Sequence, residues 1–336
     1  MKPSTLNRYA LTISSAAFLA ACGGSQPPIG APGAAPQIAS GVLTSRDGSR
    51  TLLYVATSSK TYILTYPGYK KVGTLNPGFG GYKYLTTDTT NGNVLEAFTN
   101  GVFIYPHGGT NPIATISEPS SGVNTSSCAV DPTTDNIAVD WATGGRQPHA
   151  WVAIYKTASS SPTNYSVPNI NNLYYSDYDA RGDLFVDGTG SGQNGAVLAE
   201  LAKGGKQFID ISLDETLNSA GVIRWDGSYI TIKDGITIYQ LQVSGSTATV
   251  VGESRLTGLW DKQYASEWIQ GKTAISPHFS GLRHFDRDLG FWLYPSHGRA
   301  YKVIKIINKS KTEQLLSVTV SRLIEPSRSR VEGYKQ

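Results

Sequence analysis

A short unit of strands and turns recurs along this chain and limits the folds that it can adopt. The unit is clearest at residues 88–105 (DTTNGNVLEAFTNGVFIY), where a polar turn, an apolar run, an Asn-Gly turn and a second apolar run follow one another. Asn-Gly between short apolar runs is a strong β-hairpin signal, because a type I′ turn needs positive φ twice. In this unit we expect strands near 82–87, at 94–99, at 102–105 and near 113–116.

Six such units align on the residue that ends the third apolar run of each. Three of these positions begin a Tyr-Pro pair. The anchors are Tyr66, Tyr105, Tyr155, Ala199, Tyr239 and Tyr294, at intervals of 39 to 55 residues. Periods near 40–50 residues with about four short strands each are typical of a β-propeller. The sequence therefore predicts an all-β fold, a six-bladed β-propeller with four-stranded antiparallel blades. A β-sandwich is the alternative, whereas a βα solenoid would need amphipathic helices that the chain lacks.

An Asp-led turn repeats upstream of the anchors. Asp88 with Gly92 matches Asp131 with Asp135, and each pair is followed by Asn and an apolar run. Asp and Gly relieve the backbone at tight corners, so we interpret these positions as turns between strands. Shorter versions begin at Asp47, Asp179 and Asp226.

The amino terminus has the pattern of an export signal. Residues 1–21 carry two basic residues and an apolar segment too short to span a membrane. Leu19-Ala20-Ala21-Cys22 resembles a bacterial lipobox, which implies cleavage before Cys22 and attachment of palmitate and other acyl chains, with no transmembrane helix needed. An ordinary signal peptide with a chance Cys is the alternative. Gly23 after the Cys resembles the default sorting pattern for the outer membrane. The predicted localisation is the bacterial cell envelope, on a lipid anchor.

The chain then divides into a tether, a domain and a tail. Residues 22–37 hold the lipidated Cys and a Pro/Gly/Ala tether with nothing to pack. Residues 38–324 form the predicted propeller, whose last strand (LLSVTVS) either clasps the ring or caps an outer edge. Residues 325–336 are a polar tail.

Composition excludes some functions. Charged residues make up 16% of the chain, against roughly 25% in an average domain, and the net charge is only +4. A nucleic-acid partner is not expected, because it would need a concentrated basic face. Cys128 lies in a strand-like run and is predicted to be a buried small hydrophobe.

Together these strand and turn patterns resemble the NHL-type and YVTN-type bacterial propellers, and more loosely the gluconolactonase-like six-bladed group. The resemblance covers roughly residues 38–320 and implies the fold more than the activity, since such folds host hydrolases, lyases, oxidoreductases and binders. Gluconolactonase-like enzymes hold a divalent metal in the central channel with Glu and Asn side chains. Those ligands have no residue-by-residue match in this chain.

Three predicted loops between second and third strands are long, at 142–150, 188–195 and 277–289. Loops on a rigid scaffold commonly carry binding groups, so the face with these loops is the candidate binding face. For any single residue, a solvated loop tip is the alternative. The candidates are Trp141, Arg146, His149, Gln193, Asn194, His278, Arg283, His284 and Asp286.

Other motifs carry no predicted chemistry. His278 and His284, with Asp286 and Asp288, have ligand types that suit divalent ions, but their spacing matches no known ligand pattern. The sequence lacks a Gly-x-Ser-x-Gly elbow and a His-Glu-x-x-His pair. Acidic residues near the predicted axis, such as Asp177 and Asp179, are interpreted as turn formers. No metal site and no catalytic residue are predicted.

Two functions remain open. The first is a non-catalytic, lipid-anchored scaffold that binds a protein or a glycan, for which aromatic surfaces with few charges are suited. It needs no cofactor, and its membrane partner is the bilayer itself. The second is a metal-dependent hydrolase or lyase at the channel mouth, the only one that requires a divalent metal. We favour the binder.

Replacing Cys22 by Ser is expected to move the protein from the membrane fraction to the soluble fraction. The acyl chains, and not the propeller, are expected to supply most of the membrane affinity. Fractionation and incorporation of labelled palmitate measure this. Palmitate still entering the Cys22→Ser variant would contradict the lipobox interpretation.

Overall fold

The computed structural model describes residues 51–76, 81–143, 149–190, 195–258, 268–278, 288–306 and 313–322. Within these ranges the chain forms strands and turns without helices, so no described helix could cross a membrane. The predicted signal, Cys22 and the tether lie outside the described residues.

The described residues form 25 strands. The first thirteen, in chain order, are β1 (Thr51–Thr57), β2 (Thr61–Thr65), β3 (Lys71–Thr74), β4 (Lys83–Thr87), β5 (Val94–Phe98), β6 (Gly101–Tyr105), β7 (Ala114–Ser117), β8 (Val123–Val130), β9 (Ile137–Thr143), β10 (Ala150–Tyr155), β11 (Thr163–Ser166), β12 (Asn172–Tyr178) and β13 (Leu184–Thr189). The others are β14 (Val197–Leu201), β15 (Ile209–Leu213), β16 (Ile223–Trp225), β17 (Ile230–Asp234), β18 (Thr237–Ser244), β19 (Thr247–Thr257), β20 (Trp268–Gln270), β21 (Thr273–His278), β22 (Asp288–Leu293), β23 (Gly298–Arg299), β24 (Lys302–Lys305) and β25 (Leu315–Arg322).

Six antiparallel four-stranded blades make up the domain, which confirms the predicted six-bladed propeller. From the axis outward, blade 1 is β25-β1-β2-β3, blade 2 is β4 to β7, blade 3 is β8 to β11, blade 4 is β12 to β15, blade 5 is β16 to β19, and blade 6 is β20-β21-β22-β24. The inner strands contact one another around the axis in the order β25, β4, β8, β12, β16, β20 and back to β25. Blades 2 and 5 therefore face each other across the axis, as do blades 3 and 6.

The carboxyl-terminal strand closes the ring. β25 pairs with β1 from Arg322 opposite Thr51 to Leu315 opposite Thr57, so it supplies the inner strand of the first blade. It also contacts the second blade, where the backbone N–H of Leu85 donates to Ser317 Oγ at 2.9 Å. The sequence left open whether this strand clasps the ring or caps an edge, and the structure shows that it clasps the ring.

Apolar side chains fill each junction between neighbouring blades. The described residues form six buried clusters, one for each of the six junctions. Cys128 belongs to the cluster between blades 2 and 3 and is a buried free thiol, as predicted. The fold thus has a ring of six similar cores, since every blade is covered on both faces.

The repeated Asp turns join the first and second strands of a blade. In blade 2 the N–H of Asp88 donates to Asn93 O, and in blade 3 the N–H of Asp131 donates to Asn136 O. The fifth residue of each turn has positive φ, which is why Gly92 (φ 79) suits the position. We call the side with these turns the turn face, and the opposite side, with the connections between second and third strands, the loop face.

Blade 2 confirms its four predicted strands to within one residue, but the predicted Asn-Gly turn is wrong. β5 ends at Phe98 and β6 begins at Gly101, so Thr99 and Asn100 form the two-residue turn, and neither has positive φ. Glycine is needed at 101 for a different reason. A Cβ there would lie 2.3 Å from Ile116 O of the adjacent strand, so close backbone approach excludes a side chain.

One long strand joins three blades at the outer rim. β19 is the outer strand of blade 5, and it pairs in parallel with β15 of blade 4 and with β23 beside blade 6. An outer edge is otherwise a row of unpaired backbone groups, so this pairing covers part of three edges at once.

Removing residues 315–336 is expected to abolish cooperative folding. β25 buries Leu315, Val318 and Val320, and each buried side chain of this kind is worth about 1.5–3 kcal/mol. Their combined loss is a large share of a typical stability of about 5–15 kcal/mol, before the exposed inner strands are counted. Thermal and denaturant unfolding measure the effect. Removing only residues 325–336 is the matched control and should leave the midpoint unchanged.

Candidate functional site

An arginine crosses the centre of the ring. Arg224 lies on β16, the inner strand of blade 5, and its Nη2 donates to Leu85 O of β4 at 3.0 Å. Since blades 5 and 2 are opposite each other, this hydrogen bond spans the axis. The side chain is almost completely buried, with 2% of its surface exposed.

Aromatic rings surround this guanidinium. Arg224 Cζ lies 4.8 Å from the ring centroid of Tyr84 and 5.0 Å from that of Trp268, both within cation–π distance. The ring of Tyr84 also packs against Tyr175, with centroids 5.6 Å apart, and the hydroxyl groups of Tyr82 and Tyr175 are 3.1 Å apart. At this depth the axis is filled by side chains and is not an open channel.

Two completely buried carboxyl groups lie at equivalent positions on second strands. Asp140 of β9 and Asp187 of β13 each follow an apolar run and have no exposed surface. The hydroxyl groups of Ser127 and Ser176 hydrogen-bond to Asp140. The N–H of Gly221 donates to Asp187 Oδ2 at 2.7 Å, which ties blade 4 to blade 5.

Burial makes these carboxyl groups harder to ionise. It raises the pKa of Asp140 to about 6, against the opposing effect of hydrogen bonds from Ser127 and Ser176. Burial also raises the pKa of Asp187 well above its ordinary value and raises that of Asp177, although the Arg224 guanidinium opposes the shift in Asp177. Perturbed carboxyl groups can be catalytic, but Asp140 and Asp187 have no exposed surface for a substrate to reach. We assign them a structural role.

Of the two acidic residues interpreted as turn formers, one is confirmed. Asp179 Oδ1 accepts from the N–H groups of Arg181 and Asp183, as a turn former does. For Asp177 the interpretation is wrong. It lies within β12, and its Oδ2 accepts the N–H of Trp225 at 3.0 Å, so it links the inner strands of blades 4 and 5.

Trp141 is not an exposed binding residue, and this prediction is wrong. It lies in β9 with no exposed surface, in the cluster between blades 2 and 3. β9 continues to Thr143, and Ile137, Val139 and Trp141 alternate on one face that blade 2 covers. The same period of two is present in the sequence, where apolar residues at 137, 139 and 141 alternate up to the predicted loop.

His149 is exposed on the loop face, and its ring stacks on Trp151, with centroids 5.6 Å apart and planes 23° apart. Sequence reasoning missed Trp151. His278 is the last residue of β21 and not a loop residue. The remaining candidates lie outside the described residues: Arg146, Gln193, Asn194, Arg283, His284 and Asp286.

The structure brings together no metal-ligand set in the part that it describes: no group of three or more His, Cys, Asp and Glu side chains there could hold an ion. Of the four residues of suitable type near 278–288, His284 and Asp286 lie outside the described residues.

Two grooves open on the turn face, at successive blade junctions. The 3/4 groove, of about 330 Å³, lies between blades 3 and 4, and the 4/5 groove, of about 350 Å³, lies between blades 4 and 5. Both have an apolar floor and a polar rim, as ligand and peptide sites commonly do.

The two grooves are built in the same way. Each has the turn Asp of the preceding blade, an aromatic residue that ends an inner strand, and aliphatic residues of the next two strands. The corresponding residues are Asp131, Tyr178, Leu184 and Leu201 in the 3/4 groove and Asp179, Trp225, Ile230 and Leu241 in the 4/5 groove. Sequence reasoning missed these grooves, although an aromatic residue directly before the turn Asp occurs in units four and five (Tyr178-Asp179 and Trp225-Asp226).

A further aromatic ring and a basic side chain stand at each rim. Tyr165 and Lys203 line the 3/4 groove, and Tyr229 and Arg181 line the 4/5 groove. Both tyrosines are partly exposed, and both basic residues are exposed. Each groove therefore offers apolar contact, an aromatic ring and a basic side chain. Of the two basic side chains, Arg181 is paired with Asp179 at 2.9 Å and with Asp183 at 3.0 Å.

No family model and no curated protein matches the chain. Solved structures do resemble it. A protein of unknown function from Bacteroides caccae superposes with a TM-score of 0.57 and 14% identity over 81% of this chain and 99% of that one. The nidogen/laminin complex gives a TM-score of 0.59 and 15% identity over 81% and 98%. The β-propeller domain of Cps50 (Swd1) from Myceliophteria thermophila gives 0.51 and 12% over 79% and 86%.

The chain is a β-propeller. At these identities the likeness shows the fold alone, and the closer resemblance to NHL-type and YVTN-type propellers stays a prediction.

Replacing Asp140 by Asn is expected to stabilise the protein at pH 7 and to change its stability less near pH 4. The folded pKa of about 6 exceeds the ordinary value of 3.8. The favourable contribution of Asp140 to the free energy of unfolding is therefore present below about pH 4 and is lost as the pH rises through 6. The loss in stability is on the order of 2–3 kcal/mol. Denaturant unfolding of both proteins at several pH values measures this difference.

Asp177 and Asp187 also have raised pKa values, and burial is the largest cause for both. They remain in both proteins, so comparing the two largely isolates Asp140. An Asp140→Asn variant whose stability relative to the parent does not increase between pH 4 and pH 7 would contradict the assignment.

Proposed function

We propose that this protein is a lipid-anchored, non-catalytic scaffold of the bacterial envelope that binds a protein partner through the two grooves of its turn face. The observation that carries the proposal is the repetition of the 3/4 and 4/5 grooves at adjacent junctions. Cys22 would hold the protein on the outer membrane, and the tether of residues 22–37 would let the domain reach its partner.

The closed axis directs recognition to the outer surface. Propeller enzymes of the gluconolactonase-like type need a divalent metal at the channel, where carboxylate and amide oxygens converge. Here a guanidinium, that of Arg224, crosses the described part of the axis. A divalent cation beside this fixed positive charge would be repelled, so the metal-dependent hydrolase is the weaker proposal.

The repeated grooves favour an elongated protein segment over a single small ligand. Apolar floors formed by Leu184 and Ile230 would accept apolar side chains, while Lys203 at the rim of the 3/4 groove would attract an acidic one. Two such apolar sites on successive blades suit a segment with two apolar side chains, because linked contacts reinforce each other. One chain in the structure of the nidogen/laminin complex has a similar fold, and that complex is an assembly of two proteins.

The alternative proposal of a glycan ligand is supported by the aromatic rings of the same grooves, and the same variants test it. The long-loop face stays a second prediction. Its described part holds the stacked pair of His149 and Trp151, and most of its other candidates lie outside the described residues.

Replacing the two rim tyrosines, Tyr165 and Tyr229, by Ala is expected to weaken partner binding by at least about tenfold. Interface aromatics commonly contribute more than ~2 kcal/mol of binding. Tyr165 also packs on the buried cluster between blades 3 and 4, so the stability of each variant is measured alongside its binding. A photo-crosslinking residue placed at Gln242 or Lys203 identifies the partner in intact cells. Titration of the purified partner then gives the loss in affinity, with thermal melting to show that the variants are folded.

The matched control is His149→Ala on the opposite face, which should bind as well as the parent does. If His149→Ala loses binding while the tyrosine variants keep it, the partner binds the loop face and the groove proposal is wrong. If a pure glycan competes with the partner and the tyrosine variants lose that competition, the grooves bind carbohydrate.

A further inference from the structure

Aromatic and basic side chains gather at the junction of blades 6 and 1. The rings of Tyr66 and Tyr69 meet edge to face with centroids 5.8 Å apart, and Tyr69 also packs against Phe291 of blade 6 at 5.0 Å. Lys302 Nζ lies 4.0 Å from the centroid of the Tyr69 ring. Tyr301 lies beside them, close enough to raise the pKa of both Tyr66 and Tyr69, for which burial is the larger cause.

Large apolar surface is exposed at the same place. Leu293 is 62% exposed and Tyr301 is 54% exposed. Leu293 lies two residues after Phe291 on β22, so both project from the face of blade 6 that meets blade 1. Lys71 Nζ lies 4.2 Å from the ring centroid of Tyr62, which packs on the cluster between blades 6 and 1. We call Tyr66, Tyr69, Lys71, Leu293, Tyr301 and Lys302 the junction patch. Exposed apolar groups beside basic ones are the composition of surfaces that meet a membrane interface.

Charge is divided unequally around the ring. In the described residues of blades 1 and 6 (51–76, 268–278, 288–306 and 313–322), there are eight Lys and Arg residues and only two Asp and Glu. In the described residues of blades 2 to 5 (81–143, 149–190 and 195–258), there are eight Lys and Arg residues and seventeen Asp and Glu. Only one side of the ring is therefore complementary to an anionic surface.

The junction patch adjoins the start of the described part of the domain. That part begins at Thr51, whose carbonyl oxygen accepts the N–H of Tyr66 at 3.1 Å. Cys22 and Thr51 are separated by 28 residues. The predicted tether of residues 22–37 would span about 20 Å as a flexible chain, which would keep the domain near a membrane that held Cys22.

We infer that the junction patch docks on an anionic lipid surface, with its lysines against phospholipid headgroups and its exposed Tyr and Leu side chains at the interface. This inference rests on the proposed lipid anchoring for its place in the cell, although the lipid contact itself needs no acyl chain. A basic residue near an anionic membrane strengthens binding roughly fivefold. Blades 2 to 5 carry more acidic than basic residues in their described parts, so turning any of them toward the same membrane would be less favourable, and the charge distribution selects one orientation.

The test is flotation of the unacylated Cys22→Ser chain with two kinds of vesicle. One kind contains phosphatidylcholine alone and the other also contains phosphatidylglycerol. We expect binding to the anionic vesicles to exceed binding to the neutral ones by at least about tenfold at low salt and to fall as salt screens the charges. The double variant Lys71→Glu/Lys302→Glu should lose this preference, and Leu293→Ser should weaken binding severalfold without changing the salt dependence.

The matched control is Lys203→Glu/Lys206→Glu, which makes the same change of charge on blade 4 and should keep the preference for anionic vesicles. The amino-terminal segment is common to all of these proteins, so the differences between them report the patch. Equal loss in the control pair, or no preference for anionic vesicles in the parent, would overturn the inference.

An acidic protein is the other ligand that the basic residues of the junction patch could bind. If the Lys71→Glu/Lys302→Glu variant keeps its vesicle binding but loses binding to polyglutamate, the patch is a protein site and the lipid inference is wrong. Failure of palmitate labelling would instead remove the proposed anchor and leave the vesicle result unaffected, so the two failures are distinguishable.

Discussion

The pairing of β25 with β1 is the constraint on which the rest of the structure depends. It joins the last described strand to the first, and it turns a row of blades into a ring in which each blade is covered by two neighbours. Ring closure also determines which blades lie opposite each other across the axis. Arg224 reaches Leu85 only because six blades place the fifth inner strand across from the second. The junction of blades 6 and 1, where basic and aromatic side chains meet, does not exist in the open chain.

Local signals were the predictable part of the fold. The Asp-led turns repeat because each must reverse the chain within a few residues, and Asp88 and Asp131 use the same hydrogen bonds to do so. The spacing of the Tyr anchors gave the number of blades for a similar reason. The contacts between neighbouring blades were less predictable. Trp141 stands directly before a predicted long loop, and its burial depends on the neighbouring blade that covers its face of the strand. The position of Arg224 at the axis depends on the closure of the whole ring, so no local pattern indicates it.

The axis shows why buried polar groups need not mark a catalytic site. Asp140 and Asp187 are completely buried and hydrogen-bonded, and Arg224 is held by a carbonyl group and two aromatic rings. Such groups are costly to bury but tie specific strands together, since each accepts or donates only in one register. The raised pKa values of Asp140 and Asp187 follow from burial within the fold and do not require a substrate. The buried polar groups at the centre hold the blades together, so recognition is expected at the rim and the two faces.

The positions of the grooves and the junction patch bear on each other. Blade 1 is opposite blade 4 and blade 6 is opposite blade 3, so the 3/4 groove lies across the ring from the junction of blades 6 and 1. A ring resting on that junction would hold the 3/4 groove on the side of the domain away from the lipid, with the 4/5 groove one junction further round. The acidic blades would then face away from an anionic membrane, and Lys203 and Arg181 would stand at grooves in acidic surroundings. Arg181 is already paired with Asp179 and Asp183, so an acidic partner would be attracted mainly to Lys203 and repelled by its surroundings. This favours a segment that presents a carboxylate only at the rim of the 3/4 groove.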